Sequence, residues 1–486
     1  MNFKKLLRLC FILLFADVVI GVPLIPLKPS EDDFYTPPEG YENHDNGEIL
    51  KMRPTPQKLR SLFLPINIKN SWQVLVKSSD SFGNASAIVT TIMEPYNADP
   101  SKVVSYQAFE DSAALDCAPS YAYLYRASAA TASTQIEMYF IQIALDRGWY
   151  VVSPDYEGPK ATFTAGKQSG HATLDSIRAA LLSSGTTGIN KDAKIVMWGY
   201  SGGTVPSAWA SVLQPTYAKD LKSNLIGAAT GGLVTNVTGT AEGVEGTFFA
   251  GLTISAITGL ASEYPELKAL ISEQLVSAKT LLYEKGDKLC LGPALFNYAF
   301  RRIFSGPSRY VKDGWVVLSH PVVKKVINDN TLALEKGDPM PEIPIFVFHG
   351  AKDTLVPFKD AQRVYDNWCE EGIKSFEFAV DKSTGHITEL LAGTPAAIAW
   401  ITKMFNGEKP VKGCSRTERQ SNLEYPGSDR SIFEFLSAAA TSILGFEIGP
   451  NAENLEPNGE NIKISTKAKK DTGVTLGEGI EHSVHR

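Results

Sequence analysis

The sequence predicts an α/β fold in which a mostly parallel sheet is covered by helices on both faces. Short apolar runs typical of buried strands alternate along the chain with helical patterns, and strand-helix alternation on this scale indicates such a sheet. The strand-like runs are 102–109, 149–153, 194–198, 224–228, 343–348 and 376–380, and the helical patterns include 172–183 and 204–213.

Composition supports a folded, soluble protein larger than one small domain. The chain has 486 residues, of which 43% are hydrophobic and 21% are charged, a balance that excludes disorder and coiled coil as its main state. Its 47 basic and 53 acidic side chains leave a net charge of -6, and no long basic run is present. Nucleic acid is therefore not expected as a partner.

The N-terminus has the pattern of a secretory signal peptide, and we expect a secreted, extracellular protein. Lys4, Lys5 and Arg8 form a positive region, 9–16 is apolar, and small residues allow cleavage after Gly21. The apolar run is too short to span a bilayer. No later stretch of about 18 uninterrupted apolar residues follows, so no transmembrane anchor is expected.

The remaining patterns divide the chain into a core, an insertion and terminal segments. A proline-rich and acidic N-terminal stretch is expected to wrap over the surface in an extended form. The predicted segments are a signal peptide (1–21), an extended N-terminal segment (22–60), the first part of the core (61–230), a helical cap insertion (231–320), the second part of the core (321–412), a C-terminal flap region (413–450) and a polar, disordered tail (451–486).

Two apolar stretches outside the predicted sheet have alternative interpretations. Within the cap, 265–285 has helical spacing, and 248–260 could either face an acyl chain or pack the core of the cap itself. Residues 432–446 could form a mobile flap or a packed C-terminal helix, of which the flap is slightly favoured.

The most informative motif is the strand-turn-helix segment around Ser201. An apolar strand leads into Gly199-Tyr-Ser201-Gly202-Gly203, a G-x-S-x-G pattern, and then into a helix with Pro206 in its first turn. Glycines permit the sharp turn that leaves the serine hydroxyl exposed, and the N-terminus of the helix favours developing negative charge. We therefore predict that Ser201 is a catalytic nucleophile.

A serine hydroxyl needs a general base, which the motif order Ser, Asp, His places downstream. His482 and His485 lie in the polar tail, which cannot position a base accurately. His386 follows the strand-like run 376–380 and is the predicted base. A surface-loop histidine without a catalytic role is the alternative.

Asp353 is the predicted acid of this triad. It lies in the turn that leaves the C-terminal end of the predicted strand 343–348, where active-site residues of α/β sheets are found. Its carboxylate would accept the Nδ1 proton of His386. Asp360, Asp366 and Asp381 are the rival acids, and His349 is interpreted as a packed turn residue rather than a second base.

An oxyanion hole needs hydrogen-bond donors from two places. One is the backbone N–H of Gly202, directly after the nucleophile. Asp111, after the first predicted strand, is the expected source of the other, through its main chain or through a protonated side chain, because a carboxylate would repel the oxyanion. A role for Asp111 as a helix cap is weighed equally.

Cysteines and sequons agree with an oxidising compartment. Four cysteines, Cys117, Cys290, Cys369 and Cys414, remain after signal cleavage, so two disulfides are expected in one of three pairings. Cys369 with Cys414 is locally plausible. No spacing typical of a metal site is present. The sequons at Asn84 and Asn236 are predicted glycosylation sites.

Three strings at similar intervals resemble those of the secreted fungal lipases of the secretory-lipase, or lipase A, type found in yeasts. They are VSYQAFEDSAALDCAPSY at 104–121, YVVSPDYEG at 150–158 and GYSGG at 199–203, and the resemblance covers about 33–450. The resemblance implies an α/β-hydrolase with an inserted helical cap and a C-terminal flap near the active-site mouth. It also implies the triad Ser201, Asp353 and His386, the oxyanion hole of Asp111 and Gly202, and the disulfides Cys117–Cys290 and Cys369–Cys414.

These patterns together predict a serine ester hydrolase that cleaves lipid esters through an acyl-enzyme, without metal or cofactor. The expected partner is a lipid ester, presented in some cases at an oil-water interface, and we expect a monomer. Two alternatives are a serine peptidase on the same fold and an inactive, secreted binding or adhesion protein.

Overall fold

The computed structural model describes residues 25–62, 64–428, 431–443 and 448–449. The predicted signal peptide, 1–21, and the predicted polar tail, 451–486, lie outside the described residues. None of the helices in the described ranges combines the length and the apolar character that a bilayer crossing requires.

In the described part of the chain, ten strands form one sheet in the order β1-β2-β3-β5-β4-β6-β7-β8-β9-β10. Pairs β1/β2, β2/β3 and β3/β5 are antiparallel, and every neighbouring pair from β5 to β10 is parallel. The strands are β1 (Ile49–Pro54), β2 (Asn70–Ser79), β3 (Ala85–Glu94), β4 (Asp99–Gln107), β5 (Trp149–Pro154), β6 (Lys194–Tyr200), β7 (Leu225–Gly231), β8 (Ile345–Gly350), β9 (Ser375–Asp381) and β10 (Gly413–Arg419).

The mostly parallel sheet of the predicted α/β fold is confirmed, and the predicted strands correspond to β4 through β9. The antiparallel strands β2 and β3 were not among the predictions because buried polar side chains interrupt their apolar pattern. Gln73 of β2 donates to the Ser120 carbonyl oxygen (2.8 Å), and Thr90 of β3 is hydrogen-bonded to Ser176 (2.6 Å). Hydrogen bonding makes this burial tolerable.

Helices surround the sheet. Across the described residues the α-helices are α1 (Pro119–Ala122), α2 (Ala132–Gln135), α3 (Met138–Asp146), α4 (Gly166–Leu182), α5 (Ser184–Thr187), α6 (Thr204–Tyr217), α7 (Val237–Val244), α8 (Gly251–Glu263), α9 (Pro265–Gln274), α10 (Thr280–Tyr283), α11 (Leu291–Tyr298), α12 (Pro321–Asp329), α13 (Phe358–Glu370), α14 (His386–Phe405) and α15 (Ser431–Ile443).

Two separate apolar cores lie on the two faces of the sheet, as expected for a sheet with helices on both sides. One core contains Ile177 of α4 and Val212 of α6, together with Trp368 of α13. The opposite core contains Phe140 of α3 and Trp400 of α14. The sheet is therefore buried between helical layers, and its strand ends, rather than its faces, are available for a site.

The cap lies between β7 and β8 and has an apolar core of its own, which includes Ile254, Leu267 and Val326. The uninterrupted helical pattern 265–285 is broken in the structure, because α9 ends at Gln274. Leu275 is extended and forms a β-bridge with Val311, a tertiary contact that the helical spacing could not reveal. The core of the cap also includes residues of α12, so the packed unit extends beyond residue 320.

The described part of the predicted flap segment 432–446 lies in helix α15. Phe435 stacks on Phe140 of α3 with 4.6 Å between ring centroids, and Glu434 forms an ion pair with Arg147 at 3.1 Å. These contacts attach α15 to α3 and to Arg147, the residue that follows α3. The role of this segment as a mobile flap stays a prediction.

Two disulfides, Cys117–Cys290 and Cys369–Cys414, are present, in the pairing that the family resemblance implied. The first connects the loop after β4 with the residue before α11 of the cap. The second connects α13 with the edge strand β10.

Replacing Cys369 and Cys414 together by serine is expected to lower the free energy of unfolding by roughly 4 kcal/mol, because the crosslink closes a loop between residues 45 positions apart. Thermal and urea denaturation of the double variant and the wild type measure the difference. An unchanged melting temperature would show that the crosslink does not limit the stability of this half of the sheet.

The two sequons differ in their surroundings. Asn84 is exposed at the tip of the β2-β3 hairpin. Asn236 caps α7 through its side-chain oxygen, which accepts from the backbone N–H of Thr238 at 3.1 Å, while its side-chain nitrogen donates to Asp360 at 3.2 Å. The side-chain nitrogen of Asn84 likewise donates to Asp80, at 3.0 Å. Because a glycan would be attached to this nitrogen, it would compete with an existing contact at either position. Glycosylation at both positions stays a prediction.

Candidate active site

The G-x-S-x-G segment forms the turn between β6 and α6. Ser201 has φ of 51°, a left-handed backbone conformation that is uncommon for a residue with a side chain. The flanking glycines permit close backbone approaches, since a Cβ on Gly199 would lie 2.2 Å from the Gly203 carbonyl oxygen. The turn thereby holds the Ser201 side chain at the C-terminal edge of the sheet.

Ser201, His386 and Asp353 are joined by hydrogen bonds, although 185 residues separate the first pair and 33 the second. His386 Nε2 lies 2.7 Å from Ser201 Oγ, and His386 Nδ1 lies 2.6 Å from Asp353 Oδ2. Ser201 follows β6, Asp353 follows β8, and His386 begins α14 after β9. The carboxyl ends of three parallel strands therefore supply the three side chains.

The environment of Asp353 favours its ionised form. Burial opposes ionisation, but hydrogen bonds from His349 and His386 outweigh it, so the pKa of Asp353 lies well below its usual range. The other carboxylate oxygen accepts from the backbone N–H groups of Leu355 (3.0 Å) and Val356 (2.9 Å). An anion in this position can orient His386 and stabilise its protonated form.

His349 lies against the acid rather than against the serine. It is fully buried, and its Nδ1 accepts from the backbone N–H of Leu233 at 3.2 Å. Its Nε2 is therefore the protonated nitrogen, which lies 3.1 Å from the Val356 carbonyl oxygen and 3.3 Å from Asp353 Oδ2. Its interpretation as a packed residue agrees with this burial, but sequence reasoning missed its contact with Asp353. The sequence signal for this contact was the position of His349, four residues before Asp353.

The rival acids lie in other surroundings. Asp360, in the first turn of α13, accepts from Asn236 at 3.2 Å, and the exposed Asp366 accepts from Gln362 at 2.8 Å. Asp381 accepts from the backbone N–H of Ser383 (2.8 Å) and shapes the loop that leads to His386. Among the described residues, none of these three carboxylates is hydrogen-bonded to or ion-paired with His386, whereas Asp353 is.

The Asp111 carboxyl faces Gly202. A Cβ on Gly202 would lie only 1.6 Å from Asp111 Oδ1, a buried oxygen without a hydrogen-bond partner in the described structure. Asp111 has φ of 51°, and the next helical turn begins at Leu115, so Asp111 does not cap a helix. Burial raises the pKa of Asp111 to about 7. At lower pH the carboxyl is protonated and can donate a hydrogen bond, which the ionised carboxylate cannot do.

Replacing Gly202 by alanine is expected to lower kcat by roughly 100- to 1000-fold, the usual cost of losing one oxyanion-hole donor. The added methyl group must displace the Asp111 side chain, because the two would occupy the same space. Gly185→Ala is the matched control, since no atom lies within 4 Å of the position of its new Cβ. Full activity of the Gly202 variant would contradict a role for this contact in catalysis.

A cavity of about 130 Å³ contains Ser201 and His386 and extends into the cap. From the predicted acyl-facing stretch 248–260, Phe249 and Leu252 line this cavity, whereas Ile254 packs in the core of the cap. Different residues of that stretch therefore line the cavity and pack the core of the cap, and contact of the cavity-lining residues with an acyl chain stays a prediction. Sequence reasoning missed the contributions of other segments, which include Phe109, Phe163, Leu291, Leu295, Ile387 and Leu390.

The chain is similar in sequence to known lipases. The sequence pattern of the family described as secretory lipase matches residues 124–413. Lipase 1 of Candida albicans is 52% identical over 438 residues, which cover 90% of this chain and 94% of that protein. Lipase 4 of the same organism is 48% identical over 451 residues, which cover 93% of this chain and 97% of that protein.

Solved structures show the same fold. Candida antarctica lipase A superimposes with a TM-score of 0.75 at 27% identity, covering 87% of this chain and 99% of that one. The cell wall degrading esterase LipA from Xanthomonas oryzae superimposes with a TM-score of 0.58 at 15% identity, covering 75% and 100%, and supports the fold alone. The fold is that of an α/β-hydrolase, and the chain belongs to the secretory lipase family.

Proposed function

We propose that the protein hydrolyses carboxylic esters of lipids through an acyl-enzyme on Ser201. The observation that carries the proposal is the hydrogen-bonded chain of Ser201, His386 and Asp353, whose serine end lies in an apolar cavity. Membership in the secretory lipase family supports ester bonds of lipids as the target.

In the proposed reaction His386 Nε2 accepts the Ser201 proton as Oγ attacks the ester carbonyl carbon. The tetrahedral oxyanion is stabilised by the Gly202 backbone N–H and by Asp111. Collapse of this intermediate breaks the bond to the alcohol oxygen, which receives the proton from His386. His386 then takes a proton from a water molecule, which attacks the acyl-enzyme carbonyl carbon. Collapse of this second tetrahedral intermediate breaks the bond to Ser201 Oγ, which receives the proton from His386, and the fatty acid is released.

The walls of the cavity favour an acyl chain over a charged peptide. Phe249, Leu252 and Leu295 contribute apolar surface from the cap, and Val205 and Leu390 contribute it from the core. An apolar cavity with a few convergent polar groups is typical of a site that binds a lipid-like ligand. Triacylglycerols and related acyl esters are the proposed substrates.

Turnover of p-nitrophenyl esters of increasing chain length, compared with p-nitroanilides of the same acyl groups, tests this function. The ester series should be hydrolysed and the anilide series should not. Faster cleavage of the anilides would indicate a serine peptidase. Failure of a fluorophosphonate probe to label Ser201 would indicate an inactive binding protein.

Activity is expected to fall as the pH rises through about 7, because ionisation of Asp111 converts a hydrogen-bond donor into a carboxylate that repels the oxyanion. In Asp111→Asn the amide keeps a donor and has no charge to gain, so this alkaline decline should disappear. The pH profiles of kcat for the wild type and the variant measure the effect. An alkaline decline that persists in the variant would show that another group causes it.

Stability should change with pH in the same direction. The pKa of Asp111 is raised in the folded protein, so between about pH 4 and 7 the folded state holds a proton that the unfolded state has released. The contribution of Asp111 to the unfolding free energy therefore decreases as the pH rises through this window, by up to about 1.4 kcal/mol per pH unit, and becomes constant above it. Denaturation of Asp111→Asn should show a smaller slope.

We also propose that residues 1–21 direct secretion, in agreement with the secretory lipase family, and that the mature protein acts as a monomer on lipid at an oil-water interface. Size-exclusion chromatography of the culture-medium protein, with N-terminal sequencing, tests both points. An N-terminus that retains residues 1–21 would contradict cleavage after Gly21.

A further inference from the structure

Three phenylalanine rings form a continuous aromatic surface on the cap, here called the aromatic ridge: Phe248, Phe296 and Phe300. The side chains of Phe296 and Phe300 are 77% and 69% exposed. The Phe248 ring contacts both, with centroid distances of 5.5 Å to Phe296 and 6.4 Å to Phe300. Single exposed apolar residues are common on soluble proteins, but a contiguous cluster marks an interaction surface.

The aromatic ridge continues into the wall of the active-site cavity. Phe248 packs edge-to-face on Phe249 with 5.6 Å between centroids, and Phe249 lines the cavity that contains Ser201. Leu295, the neighbour of Phe296 in α11, also lines that cavity. Ile387, which follows the catalytic candidate His386, lines it too and is 55% exposed. The outer apolar surface and the cavity are therefore connected.

Hydrogen bonds hold the aromatic ridge in its exposed position. Phe300 has φ of 59°, a left-handed conformation that is costly for a bulky residue, and its backbone N–H donates to the Thr247 carbonyl oxygen at 2.7 Å. The following segment is bound by the Glu245 carboxylate, which accepts from the backbone N–H groups of Ile303, Phe304 and Ser305 at 3.0 Å each. Exposure of the Phe300 ring is thus built into the loop.

Positive charge borders the aromatic ridge. Arg301 and Arg302 directly follow Phe300, and both are exposed, in a chain whose net charge is -6. Cationic side chains beside apolar rings favour a surface that displays anionic amphiphiles, because the rings enter the apolar boundary while the guanidinium groups meet the headgroups. Released fatty acids and anionic phospholipids provide such a surface.

We propose that the aromatic ridge docks the protein on a lipid-water interface, so that an ester can pass from the lipid past Phe249 to Ser201. The inference rests on the proposed function, which supplies the lipid substrate. Continuity with the cavity is the reason to favour a lipid surface over a second copy of the chain or a protein partner, since either of these would cover the route to Ser201.

A double variant, Phe296→Ser with Phe300→Ser, tests the proposal against the wild type on two forms of substrate. Neither ring is among the residues that line the cavity in the described structure, so hydrolysis of a water-soluble short-chain ester should stay within about twofold. Hydrolysis of emulsified triacylglycerol should fall at least about tenfold, because loss of two ring insertions weakens interfacial binding. Leu182→Ser, at an exposed leucine on α4, is the matched control and should leave both activities unchanged.

Binding is measured separately by cosedimentation with vesicles of phosphatidylcholine and phosphatidylglycerol, using Ser201→Ala proteins with and without the two phenylalanine substitutions. The intact ridge should bind and the substituted ridge should not. The proposal would be overturned if the double variant were as active as the wild type on the emulsion. It would also be overturned if the wild type were a dimer and the double variant a monomer. If the wild type cleaves neither ester, the proposed function fails instead.

Discussion

Replacing Ser201 by alanine is expected to lower kcat on a lipid ester on the order of a million-fold, with little change in stability. The substitution removes the Oγ that lies 2.7 Å from His386 Nε2 and thereby the atom that would carry the acyl group. Any remaining turnover would come from substrate binding and the oxyanion donors alone. Steady-state assays on a long-chain p-nitrophenyl ester, with mass spectrometry for the acyl-enzyme, measure both consequences.

Ser211→Ala is the matched control for this prediction. Ser211 lies on α6, the helix that follows the turn, and its hydroxyl donates only to the Ser207 carbonyl oxygen in the described structure, at 2.8 Å. Its replacement should leave kcat within about twofold, because no reacting atom is removed. Near-wild-type turnover by Ser201→Ala in a preparation free of other esterases would reject the proposed mechanism.

Replacing Asp353 by asparagine is expected to lower kcat by roughly ten-thousand-fold, because the amide imposes the wrong histidine tautomer. The asparagine oxygen will face the backbone N–H groups of Leu355 and Val356, which now donate to Asp353 Oδ1. The amide NH₂ then faces His386 Nδ1 and makes that nitrogen an acceptor. His386 Nε2 consequently carries the proton and cannot accept one from Ser201.

Comparing Asp353→Asn with Asp366→Asn separates the proposed acid from an exposed rival. Asp366 accepts from Gln362 on the surface of α13, so its substitution should change kcat by less than about twofold. KM should change little in Asp353→Asn, since the loss affects proton transfer rather than acyl-chain binding. A similar loss of kcat in both variants would point to general destabilisation. A loss of kcat only in Asp366→Asn would indicate that Asp366, rather than Asp353, is the acid.

Local sequence patterns were sufficient to predict most of the parallel strands of the sheet. The apolar runs that became β4 through β9 are buried on both faces, so each is a nearly continuous hydrophobic stretch. The edge strand β10 was missed because its side chains alternate between partly buried and exposed charged or polar residues. β1 was missed because it lies in the segment 22–60, whose proline and acidic content predicted an extended wrap over the surface rather than a strand of the sheet.

The interruption of the predicted helix 265–285 in the cap shows what the spacing of apolar residues cannot predict. The spacing of apolar residues over 265–285 is typical of a helix. Val276, however, donates its backbone N–H to the Tyr310 carbonyl oxygen instead of continuing the hydrogen bonds of the helix. Leu281, one of the apolar residues that give 265–285 its helical spacing, is 78% exposed. Competition between a local helix and a distant backbone partner is decided by tertiary packing, which a single sequence does not display.

Patterns readable along the chain predicted the strand-turn-serine-helix segment, the order of the candidate residues Ser201, Asp353 and His386, and the alternation that specifies a covered parallel sheet. Tertiary packing, in contrast, brings His349 to Asp353, places Asp111 Oδ1 against Gly202, and turns Phe249 but not Ile254 toward the cavity. These contacts depend on distances and orientations of about an ångström between separately placed elements. Side-chain burial and the resulting pKa of Asp111 follow from that packing, not from neighbours in the chain.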